Sequence, residues 1–122
     1  MQLEQITEKI IGCAFTVANA LGSGFLEKVY ENALVYELRK QGFHVEQQYP
    51  VPVYYEGIIV GDYTADIVVR GEVLVELKAV KSLEDIHMAQ CLNYLKAAGL
   101  KLCLLVNFGA PKIQVKRIVN RL

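Results

Sequence analysis

The chain has 122 residues, 53% of them apolar, with 13 basic and 13 acidic side chains. That length fits one domain, residues 1–122, built on one core, and the apolar fraction excludes a disordered or collagen-like chain. A net charge of zero excludes binding to nucleic acid or membranes through global electrostatics, so any charged partner must meet a local patch.

Charge is nevertheless uneven. Residues 1–62 carry eight acids and four bases, and residues 63–122 carry five acids and nine bases. From Lys96 onward there are only bases: Lys96, Lys101, Lys112, Lys116, Arg117 and Arg121. They are candidates for phosphate contact, although a basic stretch near a terminus more commonly forms a solvated face. The first ten residues lack an apolar signal core, and no apolar run approaches the ~20 residues of a membrane span, so the expectation is a soluble cytoplasmic protein with no membrane partner. Cys13, Cys91 and Cys103 have neither disulfide-framework nor zinc-motif spacing and read as reduced core thiols. His87 and Cys91 are spaced i,i+4, but a metal site there needs two further ligands from His44, Cys13 or Cys103, and the bland reading is favoured.

Leu3, Ile6, Ile10, Cys13, Val17 and Leu21 mark one face of a helix over residues 3–21, ended by Gly22-Ser23-Gly24. A second helix begins near Phe25 and runs to a C-terminal cap at Gly42. The texture then becomes β-branched and aromatic, predicting three antiparallel strands, Val45 to Tyr55, Ile58 to Val69 and Val73 to Val80, punctuated by Glu56-Gly57 and Arg70-Gly71. Ser82 is the expected N-cap of a helix over residues 83–98 ending at Gly99. Lys101 to Phe108 and Ile113 to Val119 complete an ααβββαββ order.

In Val73-Leu74-Val75-Glu76-Leu77-Lys78-Ala79, Glu76 and Lys78 share one strand face, about 6.6 Å apart. Asp66 joins them if Val69-Arg70-Gly71 is a three-residue loop, which places Asp66 opposite Leu74 and diagonal to Glu76; a two-residue loop separates the carboxylates. Two carboxylates and an ammonium on an apolar sheet are costly unless solvated, paired or bound to a cation. Mg²⁺ or Mn²⁺ held by Asp66, Glu76 and the Leu77 carbonyl would resolve that conflict, with Lys78 meeting a water or phosphate. The competing reading makes Glu76 and Lys78 ordinary surface residues.

Asp66, the short hairpin and Glu76-Leu77-Lys78 resemble the signature of the PD-(D/E)XK nuclease superfamily, with Ala65 where the signature has proline. Gly24-Phe25-Leu26-Glu27-Lys28-Val29-Tyr30 is similar to the motif that names the GxxExxY family, and Gln90-Cys91-Leu92-Asn93-Tyr94 resembles the QxxxY element of RecB-like and phage-exonuclease-like members. Leu104-Leu105-Val106-Asn107-Phe108-Gly109 resembles the strand that follows that helix. The resemblance implies an α/β (α+β) restriction-endonuclease-like domain with a central mixed sheet flanked by helices, and a metal-dependent nuclease of DNA or RNA. It makes Asp66 and Glu76 metal carboxylates, Lys78 the catalytic lysine and Glu27 a further metal-side acid, with Gln90, Tyr94 and Tyr30 toward substrate.

Read without it, Glu27 and Glu31 lie on one helix face, where like charges repel unless a cation or solvent intervenes. Glu31 is then a partner for a lysine. Tyr30 alone reads as core packing with a bonded hydroxyl, and Gln90 and Tyr94 as the polar edge of a packed helix. A noncatalytic nucleic-acid- or protein-binding module on the same fold is the alternative, and the apolar fraction and sheet edges also allow a homodimer.

Overall fold

A computed structural model describes residues 1–121; the last position of the expected domain, residue 122, lies outside them. The elements are α1 (Leu3–Leu21), α2 (Glu27–Lys40), β1 (Val45–Tyr55), β2 (Ile58–Val69), β3 (Val73–Lys78), α3 (Asp85–Ala98), β4 (Leu102–Asn107) and β5 (Gln114–Val119). They occur in the expected order. The five strands form one mixed sheet in the order β1-β2-β3-β4-β5, with β3 and β4 parallel and every other pairing antiparallel. A parallel pair needs a crossover, and α3 supplies it.

Strand alternation divides the core into two layers. Val73, Val75 and Leu77 of β3 and Leu102, Leu104 and Val106 of β4 pack with Ile6, Ile10, Tyr30, Leu34 and Leu38 of α1 and α2. The intervening Leu74, Cys103 and Leu105 pack on the opposite face with Cys91 and Leu95 of α3. Glu76 and Lys78 keep the parity of Leu74 and therefore belong to the α3 face, the sharing of one face that alternation predicts.

β3 ends at Lys78, two residues before the expected Val80, and α2 spans Glu27–Lys40, inside its expected limits; two further differences bear directly on the site. α3 begins at Asp85, not near residue 83, because Glu84 caps it: its backbone N–H donates to His87 Nδ1 at 3.0 Å. Ser82 is no cap. The second difference is the β2–β3 register. Val69 pairs with Val73, so the loop is residues 70–72, with Arg70 at φ 57° and Gly71 at φ 68°. Two successive left-handed residues make a tight turn that the Glu72 N–H closes on the Val69 carbonyl at 3.0 Å. Asp66 consequently stands level with Glu76, one step past the last paired residues Ile67 and Val75, and not opposite Leu74.

β1 and β2 also change face at this level. Val45 and Val51 are an even number of residues apart, as are Ile67 and Ala65, yet in each pair one member lies in the α1/α2 layer and the other in the α3 layer. A regular strand cannot do this. The half-turn falls at Gln48, whose φ is 55°, and at Asp66 across from it; pairing is recorded on either side, Gln47 with Ile67 and Tyr49 with Ala65, but not between these two. Beyond the half-turn, β1 and β2 continue past the end of β3 as a two-stranded arm whose inner side rests on α3.

Candidate active site

The site forms where β2 and β3 part. The Asp66 N–H donates to Glu76 Oε1 at 2.9 Å, and the Leu77 N–H donates to Asp66 Oδ2 at 2.8 Å. The two side chains thereby extend a backbone ladder that has just ended, each carboxylate accepting the N–H that a paired strand would otherwise satisfy. Each retains a second oxygen outside that pair of bonds.

Lys78 lies two residues beyond Glu76, and its ammonium donates to Gln90 Oε1 at 3.3 Å. Gln90 in turn donates from Nε2 to the Tyr94 hydroxyl at 3.2 Å. One face of α3 therefore fixes the position of Lys78 through an i,i+4 pair. Among the described residues, no carboxylate lies within ion-pair distance of the Lys78 ammonium.

Glu27 opens α2 from the opposite layer, half-buried. Burial pushes its carboxyl above the ordinary range, the charge on Asp66 adds to the rise, and Lys78 opposes it. Its i,i+4 neighbour Glu31 has another task. Glu31 is fully enclosed and accepts from Lys28 Nζ at 3.0 Å, Gln47 Nε2 at 2.6 Å and Gln48 Nε2 at 3.0 Å. It has the lysine partner expected from sequence, and it also ties α2 to the half-turn of β1 that faces Asp66.

Electrostatics at the carboxylates are unfavourable. Burial pushes Glu76 up to about 9, with repulsion from Asp66 contributing and the Asp66 N–H opposing. Burial also raises Asp66, against the lowering effect of the Leu77 N–H. Desolvation and like charge act together on this pair, as they do where a cation is needed to hold carboxylates ionised. Among the described residues, no three His, Cys, Asp or Glu side chains stand together as a metal cluster. Two adjacent carboxylates suit a hard divalent cation nonetheless, because such an ion can keep several waters and take one or two carboxylates together with substrate phosphate.

Tyr30 does not line this site. Its ring is fully buried and stacks on Phe108 at 4.6 Å, while its hydroxyl donates to the Gly22 carbonyl at 2.6 Å and accepts from the Phe25 N–H at 3.1 Å. A phenol bonded in both directions inside the core has no group left for substrate. It clamps the turn between α1 and α2, where Gly24 at φ 115° requires glycine. Gly24 and Tyr30 thus shape the turn that delivers Glu27.

Sequence spacing missed three contributors. Gln48 and Glu31 buttress the strand behind Asp66, and nothing in their spacing signals a contact 17 residues apart. Asn107, at the end of β4, accepts from the Val80 and Gly109 N–H groups at 3.0 Å and donates to the Val80 carbonyl at 2.9 Å. It thereby fixes the exit of β3 immediately after Lys78. Of the basic C-terminal residues, Arg117 turns to α1, where it donates to the Thr7 hydroxyl at 3.0 Å, and Lys96 borders a groove between α3 and the β1–β2 arm. His87 is held by the α3 cap, and Cys91 lies buried beside Cys103, so they form no metal pair.

The family model of the PD-(D/E)XK nuclease superfamily matches residues 4–118, and the chain belongs to that superfamily. The fold is similar to the crystal structure of SSO0001, with a TM-score of 0.60 and 19% identity over 78% of this chain. This chain covers 50% of that one, and the likeness is one of restriction-endonuclease-like fold. No curated protein matches. Among the described residues, no helix is long and apolar enough to cross a membrane.

Proposed function

We propose that this single domain is a metal-dependent nuclease whose centre is Asp66, Glu76 and Lys78, assisted by Glu27 and bordered by Gln90 and Tyr94. The observation that carries the reading is the reciprocal latch between Asp66 and Glu76 beside an ammonium that has no carboxylate partner among the described residues. Membership of a nuclease superfamily supports it. Within that superfamily the run Gly24, Glu27 and Tyr30 favours the GxxExxY family, since two of the three residues shape the turn that presents the third. Buried free thiols fit a reducing cytoplasm.

Asp66, Glu76 and the Leu77 carbonyl would hold Mg²⁺ or Mn²⁺, with Glu27 orienting a water at its edge. Bound there, the ion supplies a Lewis acid for the phosphate and lowers the pKa of water. The chain's own residues do the rest. Lys78, aimed by Gln90, donates to a phosphate oxygen and opposes the negative charge that grows on it as water attacks phosphorus. Water's oxygen forms the new bond to phosphorus, the bond to the leaving nucleoside oxygen breaks, and a proton passes from the water to that oxygen. Tyr94 steadies the Gln90 amide and presents its ring toward the incoming strand.

The test is cleavage of labelled single- and double-stranded DNA and RNA with Mg²⁺, with Mn²⁺ and with EDTA. Wild type should cleave at least one substrate only with metal, and Lys78→Ala and Asp66→Ala should be inactive though folded. Retained turnover in Lys78→Ala removes the assignment. Absence of both cleavage and calorimetric metal binding makes the protein a noncatalytic binder.

A further inference from the structure

Beside the catalytic residues, a groove of about 980 Å³ runs between α3 and the projecting β1–β2 arm. Tyr54 and Tyr63 form its arm side, and Gln90, Asn93, Tyr94 and Lys96 lie on its helix side. Tyr63 is 51% exposed and its ring centroid lies 5.6 Å from that of Tyr94, inclined at 43°. Tyr54 is 62% exposed. Folding thus leaves two large aromatic side chains in water at the rim of a concave surface, although burying them would be favourable.

We infer that this groove receives unpaired nucleotides and that the protein's substrate is a single-stranded or locally melted nucleic acid; the inference rests on the nuclease reading above and gives it a substrate class. Three observations carry it. The groove is continuous with the site, because Gln90 and Tyr94 line the groove while Gln90 holds Lys78. A strand seated along α3 is therefore led to the ammonium. The volume lies near the upper end of the roughly 300–1,000 Å³ typical of small-molecule sites, which suits a few nucleotides and not a double helix.

The third observation is the balance of charge and aromatic surface. Among the described residues, Lys96 is the sole lysine or arginine lining the groove, with His87 the other basic side chain, and no Asp or Glu lines it. Proteins that grip duplexes neutralise several phosphates, which a neutral chain with one groove lysine does not offer. Tyrosine faces instead bind bases whose own faces are free, and in a duplex those faces are stacked away. Asn93 adds an amide able to reach a phosphate or a base edge.

Binding in EDTA separates this inference from the nuclease reading, because turnover plays no part. Fluorescence anisotropy with labelled single-stranded DNA, single-stranded RNA and blunt duplex DNA should show at least one single strand bound about tenfold tighter than the duplex. Tyr63→Ala should erase about tenfold of that affinity, the contribution of roughly one stacked base, and Tyr63→Phe should restore it. Lys96→Ala should lower the salt slope by about 0.7, one single-strand phosphate contact. Equal affinity for duplex, or unchanged affinity in Tyr63→Ala, overturns the inference. If metal-dependent cleavage of duplex persists under that outcome, the nuclease assignment stands and the groove assignment alone falls. If Tyr63-dependent single-strand binding is seen without any cleavage, the groove assignment holds and the catalytic one fails.

Discussion

Asp66 and Glu76 hold each other across the parting of β2 and β3: the Asp66 N–H bonds Glu76 Oε1 at 2.9 Å, and the Leu77 N–H bonds Asp66 Oδ2 at 2.8 Å. Each carboxylate is oriented by the other's strand, so the pair acts as one unit. Its ionisation must therefore register in the stability of the whole sheet.

The metal-free protein should lose stability as pH rises. Glu76 is pushed from 4.5 to about 9 in the fold, so between those values the native state keeps a proton that the unfolded chain releases. Stability from this group is complete below about pH 4.5 and lost as pH rises through about 9. In EDTA, Tm at pH 8.5 should fall below that at pH 5.5 by at least about 4 °C, the shift that roughly 1 kcal/mol produces in a small domain. Glu76→Gln should flatten the profile. Divalent metal should have the opposite tendency and stabilise more as pH rises, because its ligands must be deprotonated. A chelated protein with the same pH slope in wild type and Glu76→Gln contradicts the assignment.

Gln90→Ala should leave folding intact and impair turnover. Gln90 is half-buried on α3 and links Lys78 to Tyr94, so its loss frees a long, flexible ammonium without opening the core. Misplacement of a catalytic group costs on the order of 100-fold, and the loss should fall on kcat more than on KM. Tyr94→Phe, which removes only the outer bond, should cost less than tenfold. Single-turnover cleavage with saturating metal distinguishes the two.

Much of this architecture is legible in sequence, and the exceptions have a common cause. α1 follows from an uninterrupted helical stripe, and β1 and β2 from β-branched and aromatic runs bounded by glycine turns, so their limits agree with expectation. Glu76 and Lys78 share a face because alternation is local. Asp66 is harder, since its level depends on two left-handed residues, Arg70 and Gly71, and only glycine announces that conformation. The half-turn at Gln48 leaves no local trace; it is sustained from across the fold by Glu31. Tyr30 shows the same limit in another form. Its motif spacing points to the site, yet three-dimensional packing makes it the clamp behind Glu27.

Tyr30→Phe measures that clamp. The substitution keeps the stack on Phe108 and removes the bonds to Gly22 and Phe25, leaving a carbonyl and an N–H without their partner. The expected cost is about 1–3 kcal/mol, visible in urea unfolding with an unchanged m-value. Turnover should also fall because Glu27 follows this turn. Loss of stability with full turnover would instead make Glu27 dispensable to the chemistry.

Gly109→Ala tests the seam that fixes the end of β3. A Cβ at Gly109 would stand 2.3 Å from the Val80 nitrogen and 2.4 Å from the Ala79 carbonyl carbon. These are backbone atoms, held against Gly109 by the Asn107 side chain, and no flexible group is there to yield. The segment must move as a unit, at a cost of about 1–3 kcal/mol or more. Because that segment begins directly after Lys78, the displacement reaches the ammonium, and cleavage should fall at least tenfold even at temperatures where the variant remains folded. Asn107→Ala should act in the same direction by releasing Val80 without adding bulk. Circular dichroism to establish folding, followed by single-turnover cleavage of both variants, separates a misplaced Lys78 from simple unfolding. Folded variants with wild-type rates would show that the seam supports the sheet without setting the position of Lys78.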